Sequence, residues 1–301
     1  MRIAHCDNFP VPLPPEHRFP MGKYGQLRRR LVEEGLVRDA ELVAARPASL
    51  EDVLAVHDPG YVYGFLDGSL DRRAMQRIGF PWSEELVLRS LASVGATLAA
   101  LEGALDPAGP GLGGALAGGT HHAHRDFGSG YCVFNDLAVA ARKALDMGRV
   151  ERVLVFDVDV HQGDGTATLF ADEPRVFTCS LHGARNFPAR KAESDLDVPL
   201  PDGIGDDAYL SALDGALAQA LERARPELVL VQAGVDVLAA DRLGRFGLTH
   251  AGVRERDRRL LRCFRGAGLP VVLTLGGGYS DPIDASVEAY LGTYREALAI
   301  T

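Results

Sequence analysis

The stretch Val153-Leu154-Val155-Phe156-Asp157-Val158-Asp159-Val160-His161 starts apolar and ends in acids and an imidazole. A short run of Val, Leu and Phe without polar alternation reads as a strand covered on both faces. The pattern returns at Val176–Leu181, Leu228–Ala233 and Pro270–Leu275, and in a smaller form at Ala115–Gly119. Helical spacing fills several of the gaps, at Asn135–Met147, Asp206–Arg225 and Thr249–Gly266. Buried strands alternating with helices predict an α/β fold. The sheet should be mostly parallel and sandwiched by helices, with the active site at the C-terminal ends of the strands.

Toward the N-terminus, Met1–His5 predicts a short edge strand and Pro10–Pro20 an irregular loop. Tyr24–Glu34 and Glu84–Leu105 have helical spacing, and Ser49 heads a further helix as its N-cap. Asp106–Gly114 reads as a flexible Gly/Pro connector. No repeat, low-complexity tract or linker divides the chain, so residues 1–301 are expected to form a single domain.

Of 301 residues, 47% are hydrophobic and 24% charged, enough apolar material for a large core. The formal net charge of −9 argues against a nucleic-acid-binding face, which needs clustered basic residues. The densest basic stretch, Arg254–Arg265, is mixed with Leu and Glu at helical spacing and reads as a solvated helix face. An acidic surface favours cationic substrates, but here the charge is too diffuse to decide. Cys6, Cys132, Cys179 and Cys263 form no CxxC pair and predict reduced, mostly buried thiols. With no charged leader and no stretch of transmembrane length, a cytoplasmic protein without a membrane partner is expected.

The unusual polar residues collect at the strand ends. Asp157, Asp159 and His161 fall at i, i+2 and i+4, which on a strand puts them on one side. Two adjacent carboxylates repel unless a cation lies between or beside them, and carboxylate with imidazole suits zinc or another divalent transition metal. The plainer reading is a polar strand end whose acids cap the next loop. Gln162-Gly163-Asp164-Gly165-Thr166 weighs against it by adding another acid on a sharp glycine turn. Asp236, after Leu228–Gly234, could complete a three-ligand site with open positions, or be a loop acid or helix N-cap.

Gly118-Gly119-Thr120-His121-His122-Ala123-His124 supplies adjacent imidazoles, which point in different directions. They suit two acid–base roles better than one metal, with Asp157 and Asp164 available to orient them, although isolated His-His pairs are also common on surfaces. Leu275-Gly276-Gly277-Gly278-Tyr279 lets the backbone approach a ligand closely and presents a tyrosine able to donate to an oxyanion. A phosphate cradle is the alternative there, but no Lys or Ser/Thr follows as a P-loop requires.

Together with Ser180-Leu181-His182, Gln232-Ala-Gly-Val-Asp236 and Asp241-Arg-Leu-Gly244, these segments resemble the ordered motifs of the histone deacetylase superfamily. That superfamily also includes acetylpolyamine amidohydrolases and acetoin-utilisation proteins. His17-Arg-Phe-Pro20 and the compact segment Phe187–Pro201 look most like its class IV branch. The resemblance implies a catalytic domain of arginase/deacetylase architecture that removes acetyl or longer acyl groups from amines. It implies zinc, or iron(II), on Asp159, His161 and Asp236. His122 would be the general base that activates the attacking water and later protonates the leaving amine. His121 would be a second, electrostatic histidine, with Asp157 as its partner and Asp164 as that of His122. Tyr279 would polarise the amide carbonyl and stabilise the oxyanion.

The same resemblance implies a structural potassium ion among Asp157, Asp159, His161, Ser180 and Leu181, mainly on backbone oxygens, and a second around Phe170–Val176. Tyr131 and Phe187 would wall a tunnel for a linear aliphatic chain, with Leu243 at the rim and the Gly130 backbone accepting from the substrate amide. Phenylalanine is the usual occupant where Tyr131 stands. The implied substrates are acylated lysine in proteins or peptides, or an acylated polyamine. An arginase-type ureohydrolase shares the architecture but needs two manganese ions and further acids. A non-catalytic acyl-lysine-binding protein would have lost a ligand, base or oxyanion residue, and all are present.

Overall fold

The computed structural model describes residues 1–300, and its eight strands form one sheet. These are β1 (Arg2–His5), β2 (Leu42–Ala44), β3 (Leu112–Ala115), β4 (Val153–Asp157), β5 (Val176–Gly183), β6 (Leu196–Leu200), β7 (Leu228–Gln232) and β8 (Val271–Thr274). Their spatial order is β2-β1-β3-β8-β7-β4-β5-β6, and every neighbouring pair is parallel. The helices are α1 (Lys23–Glu33), α2 (Leu50–Leu54), α3 (Pro59–Leu66), α4 (Arg72–Ile78), α5 (Glu84–Ala104), α6 (Asp136–Asp146), α7 (Asp164–Leu169), α8 (Asp206–Ala224), α9 (His250–Gly266) and α10 (Asp284–Leu298).

Every residue of β4 and β7 is buried, so their unbroken apolar runs record two covered faces. Helices α5 and α6 pack together and against β1, β3, β8 and β4. A second group, α8, α9, α10 and α1, packs in sequence, with α8 over β4, β5 and β6. Ser83 starts α5 by accepting the Leu86 N–H. This helix is long and apolar enough to cross a membrane by length and composition, which the sequence reading did not anticipate. Here it is a core helix, and 61% of its most apolar window is buried inside the fold.

Three other expectations need correction. The N-terminal strand is not an edge, because β1 lies between β2 and β3. The strand expected at Ala115–Gly119 lies at Leu112–Ala115, beginning within the supposed connector. Its glycines answer to packing: a Cβ on Gly113 would sit 1.8 Å from the Ala100 carbonyl oxygen of α5. Finally, Arg256 of α9 is fully buried against Asp257 at 2.7 Å, so Arg254–Arg265 is not wholly a solvated face. The four cysteines are free, as expected, and three of them are buried. Parallel strands send their following loops to one edge of the sheet, and those after β3, β4, β5, β7 and β8 meet there.

Candidate active site

Strand β4 ends at Asp157, so strand alternation does not set the directions of Asp159 and His161. The chain turns through them instead. Asp157 Oδ1 accepts the Asp159 N–H and Asp159 Oδ1 accepts the His161 N–H, both at 3.0 Å. This turn leaves Asp157 facing His121 and brings Asp159 and His161 to Asp236, on the loop after β7. His161 Nδ1 lies 3.0 Å from both Asp159 Oδ1 and Asp236 Oδ2. One donor atom from each of the three residues falls within 4.8 Å of the others.

Glycines make room for the acids. A Cβ on Gly234 would lie 2.2 Å from Asp159 Oδ2, and one on Gly277 would lie 1.9 Å from Asp236 Oδ2. Burial and the charge of Asp159 hold Asp236 above the usual carboxylate range. Two desolvated carboxylates and an imidazole converging on one point fit a divalent cation with open coordination positions. No second group of three such donors occurs among the described residues, whereas a two-metal ureohydrolase centre would need further acids.

The loop after β3 carries both catalytic candidates of the His-His pair. Asp136, in the first turn of α6, fixes this loop by accepting the N–H groups of Gly119 and Thr120 at 3.0 and 2.7 Å. His121 Nδ1 donates to Asp157 Oδ2 and His122 Nδ1 to Asp164 Oδ1, each at 2.6 Å. Their surroundings separate the two rings. Burial opposes charge on both, but at His121 the charges of Asp157 and Asp159 outweigh it and push the ring up to about 9. At His122 burial, with the charge of His121, pushes the ring down to about 4. His122 is therefore neutral at pH 7, and its Nδ1–H on Asp164 leaves Nε2 to accept a proton.

A cavity of about 560 Å³ joins this pair to the triad and takes in Gly130, Tyr131, Phe187, Leu243 and Tyr279. Tyr131 has a positive φ of 66°, and its ring packs 5.1 Å from Phe19 and 5.3 Å from Phe80. Gly130 must be glycine, since a Cβ there would sit 2.7 Å from His122 Cδ2. Phe187 stands edge-on to His122 at 4.9 Å and is 44% exposed, a wall residue rather than core. Burial holds the Tyr279 hydroxyl well above its ordinary range, so it remains a donor.

Residues 17–293 match the family model of the histone deacetylase domain. The chain belongs to the histone deacetylase family. An uncharacterized protein of Picosynechococcus sp. is 41% identical over 295 residues, covering 98% of this chain and 97% of its own. A histone deacetylase-like amidohydrolase of Pseudomonas aeruginosa is 34% identical over 274 residues, covering 85% of this chain and 70% of its own. The crystal structure of an HDAC homologue from Aquifex aeolicus superposes with a TM-score of 0.85 at 25% identity, over 99% of this chain and 84% of that one. As a family member the protein is a hydrolase of amide bonds, and its parallel eight-stranded architecture is the deacetylase fold.

Four supports of this deacetylase site escaped sequence reasoning. Lys23 is buried beneath the Tyr279 ring at 5.0 Å and donates to the Gly278 carbonyl at 3.1 Å. Gln232 donates to Asp159 Oδ2 at 2.6 Å. Arg256 donates to the Gly234 and Val158 carbonyls at 2.6 and 3.2 Å, tying together the loops that carry Asp236 and Asp159. Asp241 accepts from Leu243 and Gly244 on one oxygen and from the Tyr279 N–H on the other. Gln232 and Asp241 lay inside quoted motifs and could have been singled out. Lys23, just ahead of the expected Tyr24–Glu34 helix, and Arg256, within ordinary helical spacing, gave no signal.

Proposed function

We propose that this protein removes acetyl or longer acyl groups from the side-chain amine of lysine in peptides or proteins, with zinc held by Asp159, His161 and Asp236. The observation that carries the reading is the meeting, in one cavity, of a neutral, carboxylate-backed His122, a protonated Tyr279 and the three-donor cluster. A divalent cation there would supply Lewis acidity toward the amide carbonyl and the attacking water. The remaining work falls to the chain itself. Tyr131 and Phe187 hold the aliphatic stem, and the Gly130 carbonyl accepts from the amide N–H. His122 Nε2 takes a proton from the attacking water, and Asp164 stabilises the resulting imidazolium. The Tyr279 hydroxyl donates to the carbonyl oxygen as negative charge develops. His122 then returns the proton to the leaving amine, releasing a carboxylate and a free lysine. His121, held by Asp157, plays an electrostatic part beside His122.

A potassium ion beside Asp157 belongs to the same proposal. Its support is the register of the sheet, which pairs Asp157 of β4 with Ser180 of β5 and so brings the expected ligand residues together on neighbouring strands. The test joins metal analysis of the purified protein to a panel of acyl-lysine peptides of increasing chain length. About one zinc per chain with release of free lysine is expected. Inactivity of the zinc-loaded protein on every chain length would sink the reading, and iron in place of zinc would revise the metal.

A further inference from the structure

The mouth of the cavity carries the opposite charge to the chain as a whole. Arg77 of α4, Arg185 after β5 and Arg245 after β7 line it, and all three are exposed. Arg185 and Arg245 share a single carboxylate, Asp202, at 3.5 and 3.4 Å, with side chains 75% and 50% exposed. Arg77 lies over the Phe127 ring at 4.5 Å and has no carboxylate within ion-pair distance among the described residues. Some arginines away from the cavity are doubly paired, Arg30 with Glu34 and Glu288 and Arg142 with Asp146 and Glu173. The carboxylates that line the cavity are Asp159 and Asp236, at its base and engaged with His161. Between the exposed Phe187 and open solvent, therefore, three guanidinium groups face one shared acid.

We propose, building on the acyl-lysine reading above, that the preferred substrate is an acyl-lysine flanked by acidic residues, and that acylated polyamines are poor substrates. A guanidinium offers a planar fork that fits a carboxylate at two points, and a mouth of one sign concentrates ligands of the other. A polyamine must bring its remaining ammonium groups past the same arginines, and like charges set together suppress binding. The net charge of −9 is thus a poor guide to the ligand, because Asp159 and Asp236 are the carboxylates lining the cavity and three arginines line its exposed part. Exposed rim pairs act on encounter and binding, so selectivity should appear in kcat/KM and weaken with salt.

The experiment compares three acetyl-lysine peptides differing only in flanking Glu, Gln or Lys, together with N-acetylputrescine. The zinc-loaded protein is assayed at low and at 0.5 M salt. The expected order in kcat/KM is Glu, then Gln, then Lys, with about two- to fivefold per flanking charge and near-loss of the differences at high salt. The R77Q/R185Q/R245Q variant should bring the ratio of the Glu to the Lys peptide close to one. The same peptides are ranked by fluorescence anisotropy binding, independently of turnover. If no peptide is cleaved, the acyl-lysine reading fails while the binding order still decides the charge preference. Equal or tighter binding of the Lys-flanked peptide, or cleavage of N-acetylputrescine as fast as the Glu peptide, would overturn the proposal.

Discussion

At the base of the cavity each charge is held from several sides, whereas at its mouth the charges are barely matched. Asp159 alone accepts from Gln232 Nε2, from the Gly277 N–H and from the His161 N–H, at 2.6, 2.8 and 3.0 Å. At the rim Arg185 and Arg245 divide one oxygen of Asp202 at 3.4 Å or more. Buried polar groups are costly when unpaired, so the base tolerates only one arrangement. Exposed pairs contribute little to folding, so the rim can change its ligand preference without disturbing the chemistry beneath.

The sharpest way to break this comparison is at Arg256. Arg256→Met strips the buried guanidinium from Asp257 and from the Val158 and Gly234 carbonyls. We expect a loss of ~3–5 kcal/mol in urea unfolding, the range for breaking a buried pair. A loss under ~1 kcal/mol would mean that the base is not held as described. Next come His122→Ala and Tyr279→Phe, each expected to lower kcat/KM on an acetyl-lysine peptide by ~10² or more. Wild-type rates in either variant would contradict the assigned role.

A pH series on folding probes the same base from behind. His57 is buried, with Nδ1 donating to the His124 carbonyl and Nε2 accepting the Asn135 N–H, and burial pushes it down to about 4. The unfolded chain takes up this proton near pH 6.5 and the folded chain only near 4. Stability is therefore full above 6.5 and falls as pH drops toward 4, by on the order of 3 kcal/mol. The wild-type protein should lose more stability than His57→Asn between those limits, and parallel profiles would remove the effect. The smallest change belongs to the mouth: Arg185→Gln should shift unfolding by less than ~0.5 kcal/mol. A larger shift would show that the rim is structural after all.

What could be read from the sequence follows from where each segment lies. The runs at Val153 and Leu228 are legible because β4 and β7 occupy the sheet interior and are apolar throughout. Strands β2 and β6 are edges with mostly half-buried or exposed residues, and leave no such run. Strand β3 is disguised by Gly113 and Gly114, whose smallness answers to neighbours distant in the chain. At the site, Asp159, His161 and Asp236 stand out because acids rarely end apolar strands. Lys23 and Arg256 do not, since the carbonyls of the site loops that they hold come within reach only in the folded chain.

Asp241 joins what the eye separates. One of its oxygens holds the loop that carries Leu243, and the other holds the backbone of Tyr279. The two stretches of backbone, at Leu243 and at Tyr279, are thus splinted to one carboxylate, although they form two sides of one cavity and lie 36 residues apart in the chain.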